Sequence, residues 1–176
     1  MKSRLLAISL VFVALGCDRR APTRGIVGVA QSWPAPTERV RFVAVGDTGD
    51  GKEGQALVAA AIGRTCATRG CDFVVLLGDL VYPSGPTSPD DPAIAAFLER
   101  PYAAIERPFY AVLGNHDEGG DGAGWEPARG DALLAYAESH PWLRMPARHW
   151  RLSTDVVDLV GLDTNGAMFG RDGAQL

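Results

Sequence analysis

Three short motifs carry the side chains that could do chemistry in this sequence. Each motif is a glycine followed by polar residues, and these polar residues are Asp47, Asp79 and the run Asn115, His116 and Asp117. Carboxylate, carboxamide and imidazole groups suit two first-row metal ions held close together. Neighbouring carboxylates also need positive charge, and the motifs contain no Lys or Arg. Any single motif would indicate only a turn or a helix N-cap, but the three together predict a metal site.

Each motif directly follows a run of residues that is typical of a strand. The apolar runs at 40–45, 73–77 and 109–113 predict three strands, of which the second and third are buried on both faces. Helical spacing predicts helices at 53–69, 92–106 and 131–139, with Pro101 bending or breaking the second. Residues 148–153 and 156–162 predict two further strands joined as a hairpin by the turn at 154–155.

The alternation of strands and helices indicates an α/β sheet with helices packed outside it. In open sheets of this class, ligands bind outside the carboxyl ends of the strands. We therefore expect Asp47, Asp79, Asn115, His116 and Asp117 to converge on one edge of the sheet.

The same motifs resemble those of a known family. The runs Gly46-Asp47-Thr48-Gly49, Gly78-Asp79-Leu80-Val81-Tyr82 and Gly114-Asn115-His116-Asp117 resemble the first three of five metal-site motifs of the calcineurin-like metallophosphoesterases. Thr48-Gly49 in place of a histidine, and Tyr82 in the second motif, resemble the purple acid phosphatase branch. Residues 142–146, Trp150 and residues 159–164 resemble its tartrate-resistant type. The resemblance implies a four-layer α-β-β-α sandwich over residues 39–176, incomplete at its C-terminal end.

The resemblance also implies a role for each residue. Asp47 and Tyr82 would bind a first metal ion, which is ferric in this branch, and Asn115 would bind a second, divalent Fe, Zn or Mn. Asp79 would bridge the two ions. His116 would assist the leaving group of a phosphate ester, and Asp117 would orient its ring. The implied function is metal-dependent hydrolysis of phosphoric esters, with a nuclease or nucleotide phosphoesterase as the rival within the superfamily.

Two later motifs of the family, which supply further histidine ligands, have no counterpart in this sequence. Its histidines are His116, His140 and His149, and we interpret the last two as a helix-end and a strand-edge residue rather than ligands. Two alternatives stay open. The chain is the N-terminal piece of a phosphoesterase, or it is a short product that is no longer a competent enzyme and serves as a lipid-anchored metal-binding or interaction protein.

The N-terminus resembles an export signal. Residues 1–16 combine Lys2 and Arg4 with an apolar run that is too short to span a membrane, which is typical of a signal peptide. Ala14-Leu15-Gly16-Cys17 resembles a bacterial lipobox, so Cys17 is a candidate for lipidation, with plain secretion as the alternative. Residues 17–38 are interpreted as a tether. The expected location is the cell envelope or periplasm. There Cys66 and Cys71 could form a short disulfide, with two free buried thiols as the alternative.

The amino-acid composition narrows the classes of protein to which this chain can belong. The 176 residues are 47% hydrophobic, which indicates a globular chain and excludes a disordered tail, a collagen-like chain and a coiled coil. The 17 basic and 21 acidic residues give a net charge of −4, which offers no basic footprint for nucleic acid. The partner that the resemblance implies is a phosphate-ester substrate, and contact with a membrane is expected only through the lipid anchor at the N-terminus.

Overall fold

The computed structural model describes residues 29–32 and 38–168. Its strands are β1 (Val29–Ser32), β2 (Phe42–Val45), β3 (Phe73–Leu76), β4 (Phe109–Ala111), β5 (Leu143–Arg144), β6 (Trp150–Ser153) and β7 (Asp158–Gly161). Its helices are α1 (Glu53–Arg69), α2 (Pro92–Ile94), α3 (Arg100–Tyr102), α4 (Pro127–Ser139) and α5 (Asn165–Met168). The expected signal peptide and Cys17 lie outside the described residues, and within them no helix is long and apolar enough to cross a membrane.

A parallel sheet in the order β2-β3-β4-β5 forms the centre of the fold. Its register pairs Val45 with Leu76 and Leu76 with Ala111, so neighbouring strands end level with one another. Strand β3 is buried along its whole length because its side chains alternate between two cores. Val74 and Leu76 face the helices, whereas Phe73 and Val75 face the second sheet. These strands confirm the expected α/β class.

The helices cover one face of this sheet. The core on this face contains Ala59 and Ile62 of α1, Leu133 and Tyr136 of α4, and the side chains of β3 and β4 that face the helices. The segment expected at 92–106 ends earlier, at Tyr102, and its middle part is a π-helix, Ala95–Glu99. There the Arg100 N–H bonds to the Ala95 carbonyl, so the wider turn comes directly before Pro101, which has no N–H to donate.

A second sheet in the order β1-β6-β7 covers the other face. Trp150 and Leu152 pack on Phe73, Val75 and Tyr110, and the Trp150 indole N–H donates to the Ala111 carbonyl at 2.8 Å. Strands β6 and β7 are antiparallel and form the expected hairpin. The described residues thus form a helical layer, the parallel sheet and the second sheet in that order.

Two strands of the structure are not predicted by the sequence analysis. Residues 29–32 fall inside the expected tether, yet they form β1, which pairs in parallel with β6. Strand β5 was not expected either; it is two residues long and pairs with β4. Both depend on partners far away in the sequence, which a short run of residues does not reveal.

The expected disulfide is present. Cys66 near the end of α1 and Cys71 before β3 are bonded. The bond lies at the start of β3, whereas Asp79 follows the other end of that strand.

Candidate active site

The loops that follow β2 and β3 are joined by main-chain hydrogen bonds. The Gly49 N–H donates to the Asp79 carbonyl at 3.1 Å, and the Tyr82 N–H donates to the Gly49 carbonyl at 2.9 Å. A Cβ on Gly49 would lie 2.1 Å from the Leu80 carbonyl oxygen, so this close approach requires glycine. The two loops therefore form one unit, and Asp47, Asp79 and Tyr82 are fixed relative to one another.

Both aspartates have a main-chain conformation that non-glycine residues rarely adopt. The φ angle is 58° at Asp47 and 55° at Asp79. Strain of this kind is commonly found at functional sites, where the surrounding contacts maintain it.

Three oxygen atoms converge at this edge of the sheet. The Tyr82 hydroxyl donates to Asp79 Oδ2 at 2.7 Å and also contacts Asp47 Oδ1 at 3.3 Å. Burial, followed by the hydrogen bond and negative charge of Asp79 and the charge of Asp47, raises the pKa of Tyr82 well above its ordinary value. Asp79 is only 6% exposed, whereas Asp47 is open to solvent. Two carboxylates and a phenol oxygen in contact are a hard donor set that fits one highly charged cation.

The loop after β4 adds Asn115 and His116 to this edge. The His116 N–H donates to Asp79 Oδ1 at 3.0 Å, so one oxygen of Asp79 contacts the loop after β4 and the other contacts Tyr82 in its own loop. The Asn115 amide nitrogen donates to the Gly122 carbonyl at 2.9 Å, which leaves the amide oxygen as the atom of Asn115 suited to a metal. The five polar residues expected at one edge therefore do lie in adjoining loops.

His116 is oriented by the chain after Tyr82. Its ring packs on the Tyr82 ring with 4.2 Å between centroids, and its Nδ1 lies 2.6 Å from the Pro83 carbonyl oxygen. A carbonyl oxygen can only accept, so the proton of this bond belongs to Nδ1. Nε2 is therefore the ring nitrogen that can exchange a proton with a substrate.

Asp117 has different partners from those expected. Its Oδ1 accepts from the N–H groups of Leu80 and Val81 at 2.9 and 3.1 Å, and its Oδ2 accepts from Gly114 N–H at 2.8 Å. Burial raises the pKa of Asp117 to about 7, while the Gly114 N–H acts in the opposite direction. The expectation that this carboxylate orients the His116 ring is wrong in this geometry, because the ring nitrogen bonds to Pro83. Asp117 instead connects the loops that follow β3 and β4.

A buried charged group behind the His116 loop was missed by the sequence analysis. Glu118 and Asp163 are both 0% exposed, and the guanidinium of Arg148 contacts both carboxylates. Asn165, also buried, donates to Asp163 and to the Gly114 carbonyl. Glu118 directly follows the third motif, and this position is the one signal in the sequence that could have indicated its importance. No pattern within a short segment connects Glu118 with Arg148.

The other two histidines stand apart from these loops. His140 follows α4, stacks on Tyr136 at 3.9 Å and bonds to the Tyr136 carbonyl, as expected of a helix-end residue. His149 directly precedes β6, at a strand edge. Among the described residues, the His, Cys, Asp and Glu side chains form no group of three or more that could bind a metal ion. A metal ion at the described site would therefore need Tyr and Asn oxygens as well as carboxylates.

A cleft of about 500 Å³ opens beside the converging oxygens. Its lining comprises Asp47, Asp50, Lys52, Tyr82, Pro83 and Phe97. Of the candidate ligands, Asp47 and Tyr82 are therefore accessible to a small molecule from this cleft.

Comparison with known proteins gives this geometry a family. Residues 40–171 match the model of the calcineurin-like phosphoesterase family. The chain is 32% identical to purple acid phosphatase 4 of Arabidopsis thaliana over 141 residues, which cover 78% of this chain and 40% of that protein. It is 32% identical to tartrate-resistant acid phosphatase type 5 of Mus musculus over 127 residues, covering 67% and 36%. The chain thus spans about two fifths of the length of these relatives.

A solved structure shares the fold. It is described as GAP50, the anchor in the inner membrane complex of Plasmodium, and the match has a TM-score of 0.52 at 22% identity. The match covers 69% of this chain and 39% of that one. The similarity to purple acid phosphatases, expected from the motifs, is confirmed by these relatives. Together with the family model, they show that the chain belongs to the calcineurin-like phosphoesterase family.

Proposed function

We propose that this chain provides the metal ligands and the proton donor for hydrolysis of phosphoric esters, as an acid phosphatase-like hydrolase. The observation that supports this most strongly is the contact of Asp47 Oδ1, Asp79 Oδ2 and the Tyr82 hydroxyl oxygen at the carboxyl ends of β2 and β3. The family match and the purple acid phosphatase relatives support the same reaction class.

The residues divide between two metal positions. Asp47 and Tyr82 would bind a ferric ion, Asn115 a divalent Fe, Zn or Mn, and Asp79 both. When bound, such a pair of ions supplies a water of lowered pKa and positive charge for the phosphoryl oxygens. Asp79 suits the bridging role because its two oxygens contact different loops, one through Tyr82 and the other through the His116 amide. Its burial limits competition from water for both oxygens.

His116 would protonate the leaving group. Hydrolysis breaks a phosphorus–oxygen ester bond, and the departing alkoxide needs a proton. In the protonated ring both nitrogens carry a hydrogen: Nδ1–H donates to the Pro83 carbonyl and fixes the ring, and Nε2–H would supply the proton to the leaving group, which returns the ring to its neutral form. The Tyr82 ring packs against the imidazole and keeps it beside the metal ligands.

Metal binding is the direct test, because it examines the ligand set without requiring turnover. We expect the chain supplied with ferric and zinc ions to bind about two metals, and Asp79→Ala to lose both since it removes the shared ligand. Asn115→Ala should lose only the second. The exposed carboxylate Asp90 provides a control, and Asp90→Ala should bind as the wild type does. Equal metal content in the Asp79 and Asn115 variants would contradict the bridging role.

Turnover tests the reaction itself. Hydrolysis of an aryl phosphate by the metal-loaded chain should be lost in His116→Ala, a variant that should retain its metals. A chain that binds metal through Asp79 but does not cleave the ester would support the metal-binding alternative instead. Equal turnover by wild type and His116→Ala would contradict the role of the histidine.

We also propose that the chain is exported and attached through lipid on Cys17. The Cys66–Cys71 disulfide supports export, because disulfides persist outside the reducing cytoplasm. Mass spectrometry of the protein from the cell envelope should show a chain that begins at a lipid-modified Cys17. An unmodified chain that begins at Met1 would contradict this proposal.

A further inference from the structure

Arg148 lies in the loop between β5 and β6, behind the loop that carries Asn115 and His116. Its Nη1 donates to Asp163 Oδ2 at 2.8 Å and also to Glu118 Oε1. Its Nη2 donates to Asp131 Oδ1 at 2.8 Å and to the Pro127 carbonyl at 2.7 Å, both on α4. The guanidinium is thus bonded from three directions, and these bonds fix its position.

These bonds connect Arg148 to the far end of the third motif. Glu118 is the last residue of the 3-10 turn that begins at His116, and its side chain is completely buried. Its Oε2 is buried and has no hydrogen-bond partner among the residues that the structure describes, so Arg148 provides the ionic contact that compensates this carboxylate. Gly130 of α4 leaves room for the pair, because a Cβ there would lie 2.4 Å from Glu118 Oε1 and 3.1 Å from Arg148 Nη2.

A second path connects Arg148 to the near end of the motif. Asp163, bonded to Nη1 through one oxygen, accepts from the Asn165 main-chain N–H and side-chain amide through the other, at 3.0 and 2.9 Å. The same Asn165 amide donates to the Gly114 carbonyl at 3.2 Å. Gly114 and Glu118 are the residues that flank Asn115, His116 and Asp117 in the sequence. One guanidinium therefore restrains both ends of this turn.

We propose that Arg148 is a positioning residue, which acts through Glu118 and through Asp163 and Asn165 to fix Asn115 and His116 relative to Asp79. The inference rests on the proposed function. It assigns Arg148 no contact with substrate or metal. Partners behind the ligands of a metal site typically contribute about 10–100-fold in metal affinity or activity, because they fix the geometry of those ligands.

The test compares Arg148→Lys with Arg151→Lys. Arg151 is three residues further along the chain, and its partner is the exposed carboxylate of Asp158 on the hairpin, so it is a matched control. Lysine keeps the charge but cannot reproduce the planar fork that contacts several carboxylates at once. We expect Arg148→Lys to lower kcat by about 10–100-fold with KM changed less than about threefold, and Arg151→Lys to change neither.

Hydrogen exchange gives a second readout, which needs neither metal nor turnover. The His116 N–H, bonded to Asp79 Oδ1, reports on the turn, and the Leu77 N–H, bonded to the Val45 carbonyl, reports on the sheet. In Arg148→Lys, exchange at His116 should accelerate at least about tenfold relative to Leu77, as expected of a local opening. Asn165→Ala removes the hydrogen bond to the Gly114 carbonyl but leaves each buried carboxylate in contact with Arg148. This variant should also accelerate exchange at the His116 N–H relative to Leu77.

The outcomes separate this inference from the proposed function. Equal acceleration at His116 and Leu77 would show a purely structural role and would overturn the inference, as would an Arg148→Lys variant that behaves like Arg151→Lys. If Arg148→Lys does not fold, Asn165→Ala decides, and unchanged His116 exchange in that variant overturns the inference. If the wild-type chain cleaves no phosphate ester, the proposed function fails and the exchange comparison alone tests the positioning role.

Discussion

Substitution of Gly49 by alanine tests the close contact between the two loops that carry Asp47 and Asp79. A Cβ at this position would lie 2.1 Å from the Leu80 carbonyl oxygen and 2.6 Å from the Val81 nitrogen. Ordinary contact begins at 3.4 Å, so the loops must separate by about 1.3 Å. The atoms in the way belong to the main chain and cannot rotate aside as the end of a flexible side chain could.

The cost follows from the contacts that this displacement breaks. Over-packing of this kind costs about 1–3 kcal/mol. The hydrogen bonds from Gly49 to Asp79 and from Tyr82 to Gly49 contribute about 0.5–1.5 kcal/mol each. We therefore expect Gly49→Ala to lower the free energy of unfolding by about 4 kcal/mol, and Tm by about 8–16 °C for a chain of this size.

Gly54→Ala is the matched control. Gly54 lies in the first turn of α1, five residues further along, and a Cβ there would meet no atom of the described part of the chain within 4 Å. Because alanine is the better helix former, this variant should be as stable as the wild type or up to about 1 kcal/mol more stable. Thermal and denaturant unfolding would measure both variants, and titration with zinc would show weaker binding only in Gly49→Ala. If Gly49→Ala unfolds within about 1 kcal/mol of Gly54→Ala and binds zinc equally well, the two loops are not the rigid unit inferred from this structure.

Three further outcomes follow from other contacts. Gly130→Ala should destabilise the chain by about 1–3 kcal/mol, because its Cβ displaces the Glu118 carboxylate. Gly63→Ala in α1 is the control and should not destabilise the chain, because the nearest contact of its Cβ is at 3.7 Å. Chemical denaturation of both variants would measure the difference. Replacing both Cys66 and Cys71 by serine should lower the free energy of unfolding by about 2 kcal/mol, since the disulfide closes a short loop. Zinc affinity should be unchanged, because the disulfide lies at the opposite end of β3 from the site. Tyr82→Phe should remove the visible absorption band expected of a ferric phenolate while the metal bound by Asn115 is retained, and an unchanged spectrum would exclude Tyr82 as the iron ligand.

The parts of the fold that could be predicted depend on signals contained within one short segment. Residues 73–76 are apolar at successive positions because both faces of β3 are buried, and this indicates a central strand without knowledge of its partners. The positions of Asp47 and Asp79 then follow, because the carboxyl ends of adjacent parallel strands lie at the same edge. The Cys66–Cys71 bond is similarly local, joining the end of α1 to the start of β3.

The parts that could not be predicted depend on pairing between distant segments. Strand β1 is stabilised by its register with β6, about 120 residues later, and its own four residues give no alternating pattern. Arg148 illustrates the same limit among side chains. Its partners Glu118 and Asp163 lie 30 and 15 residues away in the sequence. From the sequence alone, each would be interpreted as an ordinary charged residue on the surface.

Asp117 shows why a motif does not determine the role of each of its residues. An aspartate next to a catalytic histidine can orient the ring only if its carboxylate reaches a ring nitrogen. Here both oxygens point the other way, toward main-chain N–H groups of Leu80, Val81 and Gly114. These groups lie beside Asp79 and Asn115, the proposed bridging ligand and the proposed ligand of the second metal. Asp117 therefore connects the loops that carry the two proposed metal ligands, and the orientation of the histidine depends on a carbonyl group. With Arg148 behind the same turn, the geometry of the site is fixed mainly by groups that would touch neither metal nor substrate.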